Sequence, residues 1–351
     1  MRAFCYFVEP ASYTLDLAIN IYDKNKIDYC FINSKTLVKS DAKSSKQFLD
    51  QKSFLSRVRF VWNTFRSNDL IIVNGYNNYP FILTFLFNLL SKNKKYIASD
   101  SDSQLSVPNN LVKRFVKWLY LSIIFKNNHV LGFAGGSNSH KDLFRYYGMN
   151  DERIFLIPLM VDNKKFSQKN KQFPELFTFL YVGRLVKHKN VENLIEQFNT
   201  SFKDEVAVLR IIGSGDEEKY LKNKYSSNQV IFTGQKFNND LVSEFQNASC
   251  FVCPSQFEPW GLVINEALSA ALPVITTKEV GASFDLITEK KTGFVADNMN
   301  DFGNRMLQLY NDSDLLSQYS TNASELMCNH WNYDFYNKCL SNAINKVERW
   351  R

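Results

Sequence analysis

Short runs of apolar, β-branched and aromatic residues alternate with amphipathic stretches from the second residue almost to the end of the chain. Each run is long enough for a strand and each stretch is long enough for a crossover helix, so the repetition is the pattern of parallel sheets made from βα units. In the first half the strand-like runs fall near residues 2–8, 29–33, 70–73, 95–98, 130–134 and 154–158. A second set restarts at FTFLYVGRL and continues through VAVLRIIGSG, VIFTG, SCFVCPS, PVITT and TGFVAD. Between the sets lies VDNKKFSQKNKQFPEL, a polar, lysine-rich stretch ending at Pro174 with the composition of an interdomain linker. A boundary is therefore expected near residue 172. After Asp312 the pattern is helical to the end, and no internal repeat of solenoid length is present. The 351 residues suffice for two domains, each burying its own core. The expected architecture is α/β: two similar doubly wound halves with a cleft between them.

Composition excludes several classes. With 45% hydrophobic, 22% charged and 15% aromatic residues the chain is globular rather than disordered or low-complexity. Its N-terminus, MRAFCYFVEPASYTLDLA, reads as a first strand without the cleavage pattern of a signal peptide. The longest apolar runs, YPFILTFLFNLL and WLYLSIIF, fall short of the roughly 20 residues that span a bilayer, so no crossing segment is expected. Six cysteines scattered without framework spacing suit a reducing cytoplasm. Cys250 and Cys253 spell CxxC, but on a strand residues three apart point to opposite faces, and neither a second CxxC nor a nearby histidine completes four ligands. The four histidines are too dispersed for zinc. The net charge of +7 is uneven: residues 1–172 hold 25 Lys and Arg against 13 Asp and Glu, a balance of +12, whereas residues 173–351 hold 17 against 22, a balance of −5. The basic half should seek an anionic partner.

Chemistry concentrates in the second half. CPSQFEPWGLVINEALSAALPVITT runs from strand to loop to helix to strand, with Glu258 just before the helix and Glu266 in its second turn. The amides of Trp260, Gly261 and Leu262 point out of the helix N-terminus, where the dipole favours phosphate or other oxygen-rich groups, and Gly261 lets such a group approach the backbone. Two carboxylates beside an anion-accepting helix end suit a ligand that carries both phosphates and hydroxyls, because a carboxylate is a strong hydrogen-bond acceptor. Charge at a helix start for Glu258 and an exposed helix position for Glu266 are the bland alternatives. In YVGRLVKHKNVENLI a strand ends at Gly183, and Arg184 and Lys189 follow in a βα loop. A guanidinium there can fork onto phosphate oxygens and an ammonium can add a point charge; a solvated basic loop is the alternative. RIIGSGDEEKYL closes another strand with Gly213 and Gly215, which allow tight turning and close approach of a ligand.

Together these residues resemble glycosyltransferase family 4, the retaining group with the GT-B fold. The G-R-L-x-x-x-K, G-x-G and E-x7-E segments of that family, followed by an apolar-Pro-Val strand, stand here in order as Gly183-Arg184-Leu185 with Lys189, Gly213-Ser214-Gly215, Glu258 with Glu266, and LPVITT. The resemblance covers roughly residues 173–310 firmly and the first half loosely, where HKDLFRYYGMNDERIFLIPLMVD is similar to the helix, YG turn and I-x-x-I-P strand that precede the linker. It implies a GT-B fold of two Rossmann-like domains facing a central cleft: residues 1–172 for the acceptor, 173–330 for the nucleotide sugar, and a last helix, about 331–351, packing back on the first domain. It implies that Arg184 and Lys189 bind the donor diphosphate, that Glu266 holds the ribose hydroxyls, and that Glu258 and the amides after it grip the transferred sugar. Gly183, Gly213 and Gly215 would lie beside the donor, with the base near Gly234, Gln235 and Lys236. Four positions depart from the pattern: FVEPASYTLDLA lacks the GG loop of the first domain, Ala271 stands where many members have glycine, Asp285 replaces a glutamate, and the linker entry reads IPLMVD.

On the acceptor side YIASDSDSQL ends a strand with Asp100 and Asp102. Asp100 is the leading candidate to orient the acceptor hydroxyl and Asp102 the second, against a turn-capping role for both. Asn74 and Gly75, after the strand at 70–73, are further acceptor-side candidates. No cofactor or metal is expected if Arg184 and Lys189 neutralise the leaving group. Residues 109–128 mix Lys113, Arg114, Lys117 and Lys126 with Trp118, Tyr120 and Phe125, which suits a helix lying on an anionic membrane as well as a packed Rossmann helix with a basic first turn. The expectation is a retaining glycosyltransferase that is cytoplasmic or peripheral on the inner face of the plasma membrane. It would move a sugar from a nucleotide-diphosphate donor to a saccharide, lipid-linked acceptor in bacterial surface polysaccharide biosynthesis. A catalytically silent GT-B-shaped binding protein is the alternative. A nucleic-acid binder is disfavoured, since no RNA-binding aromatic signature or DNA-reading motif accompanies the basic half.

Overall fold

A computed structural model describes residues 1–35, 48–167, 171–203, 205–288 and 290–350. The chain divides into two compact units, Met1–Met160 with Tyr333–Arg351, and Val161–Asn332.

The first unit is a six-stranded parallel sheet in the order β2-β1-β3-β4-β5-β6. Its strands are β1 (Ala3–Phe7), β2 (Asp28–Phe31), β3 (Leu70–Asn74), β4 (Tyr96–Ser101), β5 (Val130–Ala134) and β6 (Ile154–Leu156), and its helices are α1 (Ser12–Asn25), α2 (Phe54–Ser67), α3 (Tyr79–Leu90), α4 (Leu111–Phe125) and α5 (Ser139–Tyr146). The central strands are buried on both faces, which is why they read as continuous apolar runs rather than alternating ones. Tyr6, Phe81, Phe125, Phe133 and Phe144 fill the space between sheet and helices.

The second unit repeats the plan in the order β12-β11-β10-β7-β8-β9, all parallel. Its strands are β7 (Phe177–Val182), β8 (Ala207–Ile212), β9 (Val230–Gly234), β10 (Cys250–Cys253), β11 (Val274–Thr277) and β12 (Gly293–Ala296). Helices α6 (Asn163–Phe166), α7 (Val191–Ser201), α8 (Glu218–Tyr225), α9 (Asn238–Gln246), α10 (Leu262–Ser269), α11 (Met299–Asn311) and α12 (Ser313–Glu325) complete it, with one π-helical stretch at Ser283–Thr288 and another at Leu326–His330. Cys250 and Cys253 both lie buried in β10. The last helix, α13 (Tyr333–Glu348), returns to the first unit beside α1 and β6, where Glu348 meets the N-terminal ammonium at 2.9 Å.

The division falls after Met160 rather than near residue 172. Residues 163–166 are not linker, because Asn163 Nδ2 donates to Met327 O at 2.7 Å and Trp331 O at 2.8 Å, and the Phe166 ring meets Phe245 edge-on at 5.6 Å. Residues 168–170 of the expected linker lie outside the described residues. Among the described residues no helix is long and apolar enough to cross a membrane.

Replacing Asn163 removes both of these hydrogen bonds. Asn163→Ala should therefore lower stability by about 1–3 kcal/mol in urea unfolding, whereas a true linker residue would change it by less than about 0.5 kcal/mol.

Candidate functional site

The second sheet reverses its direction of growth at β7, which leads through β8 to β9 on one side while β10, β11 and β12 extend on the other. A parallel sheet that grows both ways leaves a crevice at the strand ends where the order reverses, since the crossover helices depart to opposite faces. The loops after β7 and β10 flank that crevice. Arg184, His188 and Lys189 come from the first loop, and Glu258 and the start of α10 come from the second.

Backbone bonds lock these loops together. Gly183 N donates to Ile212 O at 3.0 Å, Leu185 N to Ser214 O at 2.8 Å, Glu217 N to Leu185 O at 2.9 Å and Gly213 N to Gly234 O at 2.9 Å. Gly213 has φ +142°, and a Cβ there would lie 1.8 Å from Gly183 O; at Gly215, φ +158°, it would lie 2.3 Å from Leu185 O. The bare backbone at the GxG turn thus accommodates the β7 loop itself. Across the crevice Gln256 N donates to His188 O at 2.8 Å, and Gln256 Nε2 reaches Asn190 Oδ1 at 3.3 Å. Asn190 has φ 61°, a left-handed conformation that asparagine tolerates. The same loop is fixed to the segment after β11: Gly281 N donates to Glu258 O and Ala282 N to Trp260 O, each at 3.0 Å.

On this frame Lys189 Nζ forms an ion pair with Glu258, 69 residues away in the chain, and the two side chains are only 12% and 19% exposed. Burial, followed by repulsion from Arg184, holds Lys189 below the ordinary lysine range against an opposing pull from Cys253. Burial, Lys189 and Arg184 likewise lower His188. Arg184 and Lys189 repel one another, a repulsion that an anion between them would relieve, and Arg184 stands exposed.

Gly261, φ 93°, is the N-cap of α10, and a Cβ would press on Glu258 Cγ and Val280 Cγ1, each at 3.2 Å. Trp260 is buried; its Nε1 donates to Asn265 Oδ1 at 2.8 Å and its ring stacks on Trp331 at 5.7 Å. Its indole thus anchors the loop and leaves only backbone for a ligand. Leu262 opens the helix and Glu266 follows one turn later. Burial alone pushes the Glu266 carboxyl up to about 8. Gln235 and Lys236, at the end of β9, line a separate pocket of about 340 Å³ with residues 237–240, and Lys236 pairs with Glu244, which also accepts twice from Arg210 at 2.8 Å.

The first sheet reverses between β1 and β3, and there a pocket of about 390 Å³ contains all four acceptor-side candidates, Asn74, Gly75, Asp100 and Asp102. Asn74 Nδ2 donates to Asp100 Oδ2, and Gly75 N, at φ 80°, donates to Asp100 O at 2.7 Å. Burial first, then the neighbouring Asp102, raise the Asp100 carboxyl to about 7 against the lowering effect of the Asn74 bond. Glu9 and Tyr13 also line this pocket and were not among the candidates; only the strand order places the loop after β1 beside the loop after β3. His188, Asn190 and Gln256 were missed likewise, the one local signal being an Asn placed to end a short turn before a helix.

Known proteins bear on these sites. Residues 162–326 match the family model described as glycosyl transferases group 1. The chain is 31% identical over 244 residues to the capsular polysaccharide biosynthesis glycosyltransferase CapM of Staphylococcus aureus, a match spanning 66% of this chain and 57% of that protein. Its fold is similar to that of Anabaena Alr3699/HepE in complex with UDP and glucose, at TM-score 0.73 and 15% identity over 98% of this chain and 99% of the other. It is also similar to the lipopolysaccharide outer core galactosyltransferase WaaB in its apo form, at TM-score 0.70 and 18% identity over 99% and 100%. At such identities the likeness shows the fold, and that fold is GT-B.

Both raised carboxyls make stability fall with pH. A group whose folded value lies above its unfolded one binds more protons when folded, so its stabilisation is complete below the unfolded value and is lost as pH rises to the folded value. Starting from ordinary values of 3.8 for Asp100 and 4.5 for Glu266, the losses run to about 7 and about 8 respectively. Urea unfolding at a series of pH values should show Glu266→Gln flattening the decline between about 7 and 8, which Asp100→Asn leaves in place. Identical slopes in wild type and Glu266→Gln would contradict the raised Glu266 carboxyl.

Proposed function

The chain belongs to the group 1 glycosyl transferases, and on that ground we propose that it is a retaining glycosyltransferase. It moves a sugar from a nucleotide-diphosphate donor to a hydroxyl of a saccharide acceptor, carried on a lipid, in the assembly of a bacterial surface polysaccharide. The observation that carries this reading is the meeting of Arg184, His188 and Lys189 with Glu258 and the N-cap of α10 at the switch point of the second sheet. Cations and a helix N-terminus suit a diphosphate, and carboxylates suit the hydroxyls on either side of it. A capsular polysaccharide glycosyltransferase among the relatives, and a similar fold seen with UDP and glucose, support a sugar nucleotide as donor and a surface glycan as product.

In this reading Arg184 and Lys189 take the charge that develops on the β-phosphate as the bond between it and the sugar C1 breaks. The acceptor oxygen attacks C1 from the same face, and its proton passes to the departing phosphate oxygen. The protein supplies position and electrostatic stabilisation rather than a nucleophile. Glu266 accepts from the ribose hydroxyls, and Glu258, once the diphosphate replaces it on Lys189, accepts from the sugar. The base lies toward Gly234, Gln235 and Lys236, while Gly183, Gly213 and Gly215 keep the backbone close to the phosphates. Asp100 orients the acceptor hydroxyl with Asn74 and Gly75 around it, and Asp102 lies beside them. The site so read is cytoplasmic, where sugar nucleotides are made.

A thermal-shift screen against UDP-, GDP-, ADP- and CMP-sugars, followed by an assay of donor hydrolysis, tests the proposal. Arg184→Ala and Lys189→Ala should each weaken nucleotide-diphosphate binding by roughly 10- to 100-fold, the loss expected of a charge-assisted contact. Glu258→Ala should lower turnover far more than affinity for the bare nucleotide. Binding without any turnover would instead fit a silent GT-B-shaped binder, and unchanged kinetics in all three variants would remove the site.

A further inference from the structure

The pocket at the switch point of the first sheet is acidic within a basic half of the chain. The loops after β1, β3 and β4 meet there, and residues 3–23, 67–91 and 96–112, which contain them, include no lysine, arginine or histidine, although residues 1–172 hold 25 Lys and Arg. Glu9, Asp100 and Asp102 line the cavity, and among the described residues none of the three forms an ion pair. Tyr13, 37% exposed at the start of α1, faces two of them. Burial first, then Asp102 and then Glu9 hold its hydroxyl above the ordinary tyrosine value, so carboxylates from the first and third loops act on one group. Asp102 acts likewise on Tyr76 in the second loop, after burial and Tyr120. A bound metal is not the reason for this charge, since among the described residues no group of three His, Cys, Asp or Glu could hold one.

We propose that this pocket selects its acceptor by charge: it takes a sugar free of anionic groups and turns away one that bears a carboxylate or a phosphate, with Glu9 and Asp102 setting the choice. The inference rests on the reading of the chain as a glycosyltransferase and adds the chemical class of the acceptor. The cavity, about 390 Å³, falls within the roughly 300–1,000 Å³ of small-molecule sites. Ionised carboxylates accept from sugar hydroxyls, and the rings of Tyr13 and Tyr76 offer apolar surface beside them. A uronic acid or sugar phosphate would instead set a further negative charge against Glu9 and Asp102. No cation lines the cavity to receive it, and the side-chain amides of Asn74 and Asn78 already donate within the pocket, to Asp100 and to the Asn74 carbonyl. Repulsion of this kind separates two ligands without any extra contact to the favoured one. A phosphate of the lipid carrier then has to lie outside this cavity.

The test is binding of the full chain to an array of neutral hexosides with their matched uronides and 6-phosphates in the gluco, galacto and manno series, with UDP and GDP affinity read on the same samples. At least one neutral hexoside should bind, its matched uronide and phosphate should bind roughly tenfold or more weakly, and the gap should narrow in high salt. Glu9→Gln with Asp102→Asn should shrink that gap roughly tenfold by admitting the anionic members, whereas a merely structural loss would weaken both members of a pair alike. The wild-type pairs decide the matter by themselves if the double variant does not fold. A uronide or phosphate bound as tightly as its neutral partner would overturn the proposal, as would nucleotide binding with no neutral hexoside bound. Selective hexoside binding without nucleotide binding would support the charge selection and count against the donor site alone.

Discussion

The pairing of β10 with β7, Cys250 to Phe179 and Phe251 to Leu180, is the contact on which the second unit's chemistry depends. Without it the chain could add strands in one direction only, and the loops after β7 and β10 would not be neighbours. Because β7 is also paired to β8, its C-terminal end carries a loop with crossover helices leaving on opposite sides, and the space above stays uncovered. Lys189 and Glu258 meet there although 69 residues separate them. The first unit has the same arrangement at β1 and β3, and its pocket opens at the equivalent point.

Adjacency alone would leave floppy loops. The glycines at 213 and 215 let the strand ends exchange backbone hydrogen bonds at a separation that no Cβ permits. Gln256 and the left-handed Asn190 do the same between the cationic and acidic loops by side-chain means. Such lacing fixes the charges before any ligand arrives, so the ordering entropy is spent in folding rather than in binding.

Much of this was legible in the sequence. Every strand run coincides with a strand, because central strands of parallel sheets are buried on both faces and therefore spell unbroken apolar words. The order of the strands was not legible, since periodicity identifies a strand but not its neighbour, and Glu9 and Tyr13 were overlooked for that reason. The unit boundary was misplaced because composition registers the lysines of VDNKKFS as solvated, while the docking of Asn163 and Phe166 depends on partners far along the chain, Met327, Trp331 and Phe245. The acidic pair was visible as spacing; that one member would be neutralised by Lys189 and the other left in a desolvated position was not.

That difference separates what the carboxyls can do. Glu258 has a cation facing it, and any anion reaching Lys189 competes with it directly. Among the described residues no cation pairs with Glu266 or Asp100, and burial disfavours their charge. A buried carboxyl that loses solvent without gaining a cation costs the folded state stability at neutral pH, and hydroxyl donors can offset that cost by satisfying the ionised form. A polyol is such a donor, and unlike a second cation it adds no charge to repel Arg184 and Lys189. The proposed donor would present such hydroxyls on its ribose and its sugar, on either side of the diphosphate.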